Sequence, residues 1–473
     1  VFVVKNSTNI IPLLLLSVLS GPLGARAQDY GLGQSDAGFQ VPASTPDTAS
    51  KSLAIPAVLL ENDFNSFFNP SQLVNYGTLY GEVLQAGPWG GATIPLPNDA
   101  KLAIFLGRPY QTPSVSLNLA PFTASEAAGD LAVIDSSGFS AIGNGPFTSV
   151  DFSLPALYNH IDILFGKRLA NGTAIGIKYA YAGNASSSGQ DQKKTSGWTS
   201  SVKRSLADHH LTLGLLLPEV VATYLDASLD IGWIWLRNTW DAEDTAGGET
   251  GRAAWSAGGL PSFSLLLRPV LVKGDNTYIA SLNLSYQNAD SAIKLQDDAD
   301  GDGAYDNAAD GTFNLTLKNS AFVPTLLFAA HTKPFEHLAV IYSSGFIGRF
   351  ISSTAVGVHE GSALASFLDY TEKGSSQRIT IPIGVSGQFQ PVRWAKLRLG
   401  VNKDFVVFNR SRSQDDAGNK TVDAPEGALA GELLTSMGVG FTPVEKLEID
   451  LSIATAAFAL NSLIGSASVR FHY

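Results

Sequence analysis

The sequence predicts an all-β chain, folded as a transmembrane antiparallel up-and-down β-barrel of about sixteen strands, or fourteen as the alternative, with an N-terminal hatch segment. Three observations predict it. Apolar and polar residues alternate with period two along most of the chain, helical periodicity is nearly absent, and tight turns alternate with long polar stretches. Composition agrees. Hydrophobic residues reach 45% and charged residues only 15%, yet no apolar run after residue 27 is long enough for a spanning helix. A chain of this kind that enters a membrane must do so as strands. The net charge of −11 argues against a nucleic-acid partner, and the absence of cysteine leaves no disulfides to staple the fold.

Residues 1–27 read as a signal peptide. Lys5 precedes the apolar run Ile10–Leu19, and Ala25-Arg26-Ala27 forms a small-x-small cleavage site. Residues 28–75 form a linker and hatch or plug. Gln28–Ser52 is rich in Gly, Ser, Thr and Pro and reads as mobile, whereas Asn62–Leu73 is compact and aromatic, carrying Phe64, Phe67, Phe68, Asn69 and Pro70.

The barrel occupies residues 76–473. Leu225, Ala227, Leu229, Ile231, Trp233 and Trp235 alternate with Asp226, Ser228 and Asp230. The same rhythm recurs in 278–287, in Phe313, Leu315 and Leu317 against Asn314, Thr316 and Lys318, and in 379–386, 395–402 and 447–453. Strands are expected to begin near Tyr76, Lys101, Ser114, His160, Thr173, His209, Tyr224, Phe263, Thr277, Thr312, His337, Arg378, Trp394, Leu429, Leu447 and Ile464. Ser114–Ala120 is the weakest, and 121–159 fits no strand and reads as a long loop folding inward. The turns divide into two kinds. Tight ones lie at Arg108-Pro109, Ala170-Asn171-Gly172, Leu217-Pro218, Arg268-Pro269, Lys333-Pro334-Phe335, Gln390-Pro391-Val392 and Thr442-Pro443-Val444. Long polar stretches at 183–208, 237–262, 289–311, 351–377 and 407–428 read as external loops. The last strand sets Val469, Phe471 and Tyr473 on one face, the form in which the barrel-assembly machinery of a bacterial outer membrane would receive it. Its apolar face is expected to meet outer-membrane lipid.

Within this frame, Phe68-Asn69-Pro70-Ser71 and the strand–turn–strand Ile161–Lys178 resemble the outer-membrane transport family that includes the long-chain fatty-acid transporters. Those proteins carry a Phe/Tyr-Asn-Pro-Ala-like stretch in an N-terminal hatch, and Ser71 departs from the usual Ala. The resemblance implies passive passage of a small hydrophobic solute, a fatty acid or aromatic hydrocarbon, past a hatch that shifts.

Inward faces carry Asp226, Asp230, Asn283, Lys396, Arg398, Glu448, Asp450 and Arg470. In a water-filled channel these set ion preference; alternatively they pair across strands and fill the lumen. A polar porin and a non-transporting surface protein that binds through its external loops therefore remain open beside the hydrophobic channel. Asp298, Asp300, Asp302 and Asp306, with Gly303 at the sharp turn, match the front half of a calcium loop. Ala309 stands where the closing carboxylate belongs, so a solvated acidic loop is the competing reading. The seven His residues lack metal-ligand spacing, and no nucleophile elbow, zinc-protease motif or phosphate loop occurs; the expectation is no catalytic residue and no cofactor beyond that Ca2+.

Overall fold

The computed structural model describes residues 52–84, 87–108, 122–124, 131–135, 138–142, 150–153, 158–191, 198–219, 222–244, 250–288, 290–298, 310–361, 369–414, 420–422, 433–456 and 464–473. Signal peptide, linker to residue 51, Ser114–Ala120 strand and most of the calcium loop lie outside them. The first strands are β1 (Thr78–Leu84), β2 (Gly87–Leu96) and β3 (Ala100–Leu106). Four short strands follow, β4 (Phe122–Ala124), β5 (Leu131–Asp135), β6 (Gly138–Ile142) and β7 (Val150–Ser153). They form a sheet of their own, where no strand was expected. Next come β8 (Tyr158–Arg168), β9 (Ala174–Asp191), β10 (Trp198–Pro218), β11 (Tyr224–Asp244) and β12 (Thr250–Lys273). β13 (Asn276–Asn288) and β14 (Ser291–Asp298) lie end to end, because both pair with β12 and with β15 (Gly311–Phe335). The chain continues through β16 (Leu338–Gly361), β17 (Tyr370–Val392), β18 (Ala395–Gln414), β19 (Lys420–Val422), β20 (Leu433–Val444), β21 (Leu447–Ala456) and β22 (Ile464–His472).

Antiparallel pairing runs from each stave to the next, and β22 returns to β1 with Thr78 opposite His472 and Leu84 opposite Ser466. Sixteen staves thus close a barrel without an edge. Val469 and Phe471 stand in that seam, opposite Gly81 and Leu79, and the Tyr473 N–H donates to Gly77.

The expected number of staves holds, but one member differs: β2 completes the circuit. It was missed because Pro88, Gly90, Gly91 and Pro95 look like loop composition. The hairpin after it carries its own signal in Asn98-Asp99, whose φ angles of 61° and 55° are the left-handed pair that a type I′ turn needs. Arg268-Pro269 is not a turn. Both residues lie within β12, and the chain reverses at Gly274 (φ 60°), five residues past Pro269. A single proline at a stave position outside the hairpin was mistaken for punctuation.

The long polar stretches are mostly wall. β9 reaches Asp191, β11 reaches Asp244, β16 reaches Gly361 and β18 reaches Gln414, all inside segments expected to be loops. Their Ser, Thr, Gly and Asn residues erase the alternation while the ladder bonds, which involve no side chain, continue. At the outer start of β17, Asp369 accepts the His359 N–H at 2.7 Å and pairs with its ring at 3.0 Å, which holds the carboxyl below its usual pKa.

The outer face marks the membrane. On β11, the outward positions from Leu225 to Trp235 are all apolar over eleven residues, the length a tilted strand needs to cross. Leu213, Leu265, Val385 and Leu399 on other staves are exposed on the same band. One rim, with the short turns and both ends of the circuit, is edged by Phe335, Trp394 and Tyr473. The other is edged by Tyr179, Tyr181, His209, Trp233 and Trp235, with the His209 and Trp233 rings stacked at 5.8 Å. Aromatic girdles flanking an apolar belt, on a closed barrel, make this a bacterial outer-membrane protein with its short turns in the periplasm. Among the described residues no helix could span.

The Asn98-Asp99 turn yields a stability test. Asp99→Gly removes a left-handed Cβ and should stabilise the barrel, whereas Asp99→Val should destabilise it by about 1–2 kcal/mol. Urea midpoints of the refolded protein in detergent check this; equal midpoints for the two variants would remove turn strain from the account.

Candidate functional site

Residues 52–76 lie within the barrel. Their partners come from staves all round the circuit: Asp226 on β11, Arg268 on β12, His331 on β15 and Arg470 on β22. Only the lumen touches all of these. The segment is a chain of short turns, a 3-10 turn at Ala57–Leu59, a helical turn at Asn65–Phe68 and a 3-10 helix at Pro70–Asn75. Asn69 caps the last of them, accepting from the Ser71 N–H at 3.1 Å, while Pro70 sits at its first position, where no N–H is needed.

Polar contacts fix the seat. Asp226, fully buried, pairs with Arg268 at 2.6 Å and accepts from Gln72 Nε2 at 2.6 Å and Asn69 Nδ2 at 3.3 Å. Arg268 spends its other donors on the Val58 carbonyl at 2.7 Å and the Leu60 carbonyl at 2.8 Å. Asn69 also donates to the Leu215 carbonyl at 3.1 Å, Lys178 donates to the Phe67 carbonyl, and the His331 ring meets the Leu59 carbonyl at 2.8 Å. At the far wall Arg470 pairs with Asp63 at 3.1 Å and lies 5.3 Å from the Phe64 ring. These bonds use carbonyls that a short helical turn leaves open, so a buried backbone is satisfied by the wall.

Apolar packing fills what the polar groups leave. Phe64, Phe67 and Leu73 pack with Tyr80, Trp89, Phe105 and Leu164. Phe64 meets Tyr80 edge-on at 4.8 Å, and Phe67 meets Phe105 at 4.8 Å. Phe68 packs on Leu266, and Leu53, Ile55, Leu59 and Leu60 join Val270, Ile279, Leu327 and Ile341. Two wall glycines make room. A Cβ on Gly176 would stand 2.3 Å from the Pro70 carbonyl carbon, and one on Gly214 would stand 2.1 Å from Asn69 Oδ1.

The other inward charges pair with one another. Lys396 meets Glu448 at 2.9 Å, and Arg398 binds Asp450 and also reaches Glu448 at 3.4 Å. Asp230 is held by His210 at 2.7 Å and by Thr212, and Asn283 accepts from Ser264 at 2.8 Å. Arg108, expected in a turn, is buried and grips Asp162 through two bonds of 2.7 and 2.9 Å. Arg268 and Arg108 were overlooked for the same reason, an adjacent proline; the alternation Phe263, Leu265, Leu267 would have turned Arg268 inward.

Above the segment the inner wall changes character. Leu236 lies opposite Ala257, and Trp255 opposite both Asn238 and Ile293; Ile293 and Leu295 in turn face Leu315 and Phe313. All these side chains are buried. The alternation of Phe313, Leu315 and Leu317 with Asn314, Thr316 and Lys318 is there, with the apolar set pointing inward and Lys318 pointing out. Alternation alone cannot tell which face is which where the wall has left the membrane. Within this apolar patch the Asn238 amide and the Trp255 indole N–H have no hydrogen-bond partner among the described residues. Of the calcium loop, only Asp298 is described; it is buried and accepts from Thr250 at 3.2 Å. Asp300, Asp302 and Asp306 lie outside the described residues. Among those described, no cluster of three or more His, Cys, Asp or Glu could hold a metal.

No protein-family model matches the chain, and no curated protein does. Among solved structures, a FadL homologue from Pseudomonas aeruginosa is 11% identical, with 90% of this chain and 98% of that one covered and a TM-score of 0.38. The toluene transporter TodX of P. putida is 10% identical, with 88% and 95% covered and a TM-score of 0.36. The translocator domain of the autotransporter NalP from Neisseria meningitidis is 13% identical, with 64% and 90% covered and a TM-score of 0.28.

Removing Arg268 should loosen the seat, since breaking a buried ion pair costs about 3–5 kcal/mol. The chain has no cysteine, so Ser66→Cys gives a single buried reporter. Arg268→Met in that background should speed thiol labelling by about a hundredfold or more. An unchanged rate would mean that Arg268 does not hold the segment.

Proposed function

We propose that the protein is an outer-membrane channel for passive uptake of small hydrophobic solutes, with residues 52–76 acting as a hatch at its periplasmic end. One observation carries this reading. The inner wall is charged and hydrogen-bonded where the segment sits, and apolar above it, along Leu236, Trp255, Ile293, Leu295, Phe313 and Leu315. A polar solute finds little there beyond the Asn238 amide and the Trp255 indole N–H. An apolar one gains about 25 cal/mol for each Å2 it removes from water. The solute would enter from outside, work in against these buried apolar side chains and pass when the segment shifts. A general porin needs a wet bore lined by unpaired charge; Lys396, Arg398, Glu448 and Asp450 instead neutralise one another.

Two measurements test the proposal. In planar bilayers the intact protein should conduct little, while deletion of residues 52–75, or Gly176→Val, should open steady conductance; a conducting intact protein would overturn the hatch. Uptake of a hydrophobic fluorescent probe into vesicles containing the protein should fall about tenfold or more in Leu315→Asp, because a charge placed in an apolar wall is costly to desolvate. Unchanged uptake in that variant would remove the apolar wall from the path.

A further inference from the structure

Outside the lumen, the wall carries a second feature that transport does not use. On β10 and β11 the outward positions run from the apolar belt through His209, Trp233 and Trp235 to Ser205, Arg237, Lys203 and Thr239. Arg237 follows Trp235 by two residues, about 6–7 Å along a strand. Ladder pairing sets Ser205 beside Arg237, Lys203 beside Thr239 and Arg252 beside Asp241. Between these side chains lies a cavity of about 480 Å3. In a chain of net charge −11, its outward side chains bring three cations against one carboxylate. Among the described residues that carboxylate pairs with Arg252, at 3.4 Å, and both partners are half exposed, so the pair is weak and easily exchanged for a stronger anion.

We propose that this cavity binds the phosphorylated headgroup of a lipid of the outer leaflet. Two guanidinium forks and an ammonium match phosphate oxygens in geometry and charge, and the Thr239 hydroxyl adds a neutral donor. The height on the wall selects the lipid over free phosphate. The cations stand just beyond the aromatic girdle, at the level of the headgroups, where an anchored lipid is presented at high effective concentration. The lipid would brace staves β9 to β12, whose ladders extend past the membrane on that side.

The test uses the full-length folded barrel in detergent and native mass spectrometry, with bisphosphorylated lipid A and the same lipid stripped of phosphate as probes. The protein should retain the phosphorylated lipid and not the stripped one. Neutralising each basic group should weaken retention about fivefold. The triple variant Lys203→Gln, Arg237→Gln, Arg252→Gln should thus lose roughly a hundredfold, while Asp241→Asn should gain. Equal retention of both lipids, or unchanged retention by a triple variant that still runs as a compact barrel on unheated gels, overturns the proposal. Complete displacement by inorganic phosphate would make this a free-anion site and overturn the lipid assignment. Should the triple variant not fold, the two-lipid comparison on the unaltered protein still decides.

Discussion

In hydrocarbon no water is available to a bare peptide group, so each N–H and C=O of the spanning wall must find its partner within the wall. The seam between β1 and β22 satisfies that demand, and much else follows from it. Closure sorts every stave residue into an inside or an outside, so that Asp226 and Leu225, adjacent in sequence, meet protein and lipid respectively. It also sets Thr78 opposite His472 at the short-turn rim. The segment just before Thr78 therefore begins at the mouth of the lumen, and its buried aromatic residues have their shortest route inward.

A barrel of sixteen staves is too wide for its own side chains to fill. The lumen must hold water or a second piece of chain. Residues 52–76 supply that piece, and the wall is built to receive them: small at Gly176, where it meets the Pro70–Ser71 backbone, and at Gly214, where it meets the Asn69 side chain and the Pro70 ring, and charged where turn carbonyls need donors. Beyond the segment the described wall turns largely apolar around the Asn238 amide and the Trp255 indole N–H. The two surfaces differ in kind, one seating a polypeptide through hydrogen bonds and the other packing apolar side chains across adjacent staves.

The membrane-spanning part of the fold was legible because lipid imposes alternation on one face whatever lies on the other. Leu225 to Trp235 and Leu447 to Ile453 carry that mark. Where the staves leave the membrane the constraint lapses. Ser186, Ser187 and Thr199 sit in continuous ladders, yet either face of such a strand meets polar surroundings, so no period remains to read. The inward turn of Leu315 was illegible for a related reason: once outside the lipid, the more apolar face belongs indoors. The aromatic segment could be recognised, whereas its seat could not. Arg268 lies 210 residues from the carbonyl it binds, and only closure of the barrel brings the two together.

The arrangement of charge in that seat bears on how the segment could leave it. Asp226 and Arg268 are ladder partners on adjacent staves, so both belong to the wall. Departure of the segment would take away the amides of Asn69 and Gln72 and the carbonyls of Val58 and Leu60, all of them neutral. The ion pair itself would stay intact, and water could replace the lost partners at about 1 kcal/mol for each bond. Arg398 and Asp450 are likewise wall residues. Arg470 with Asp63 alone, among the buried ion pairs described, joins wall to segment, and Glu448 stands 3.8 Å from Arg470 as a ready substitute. Lys178, buried in the wall, would give up the Phe67 carbonyl and take water in its place. The paired charges of the seat would each keep a partner, which is what a reversible closure requires and a permanent core does not.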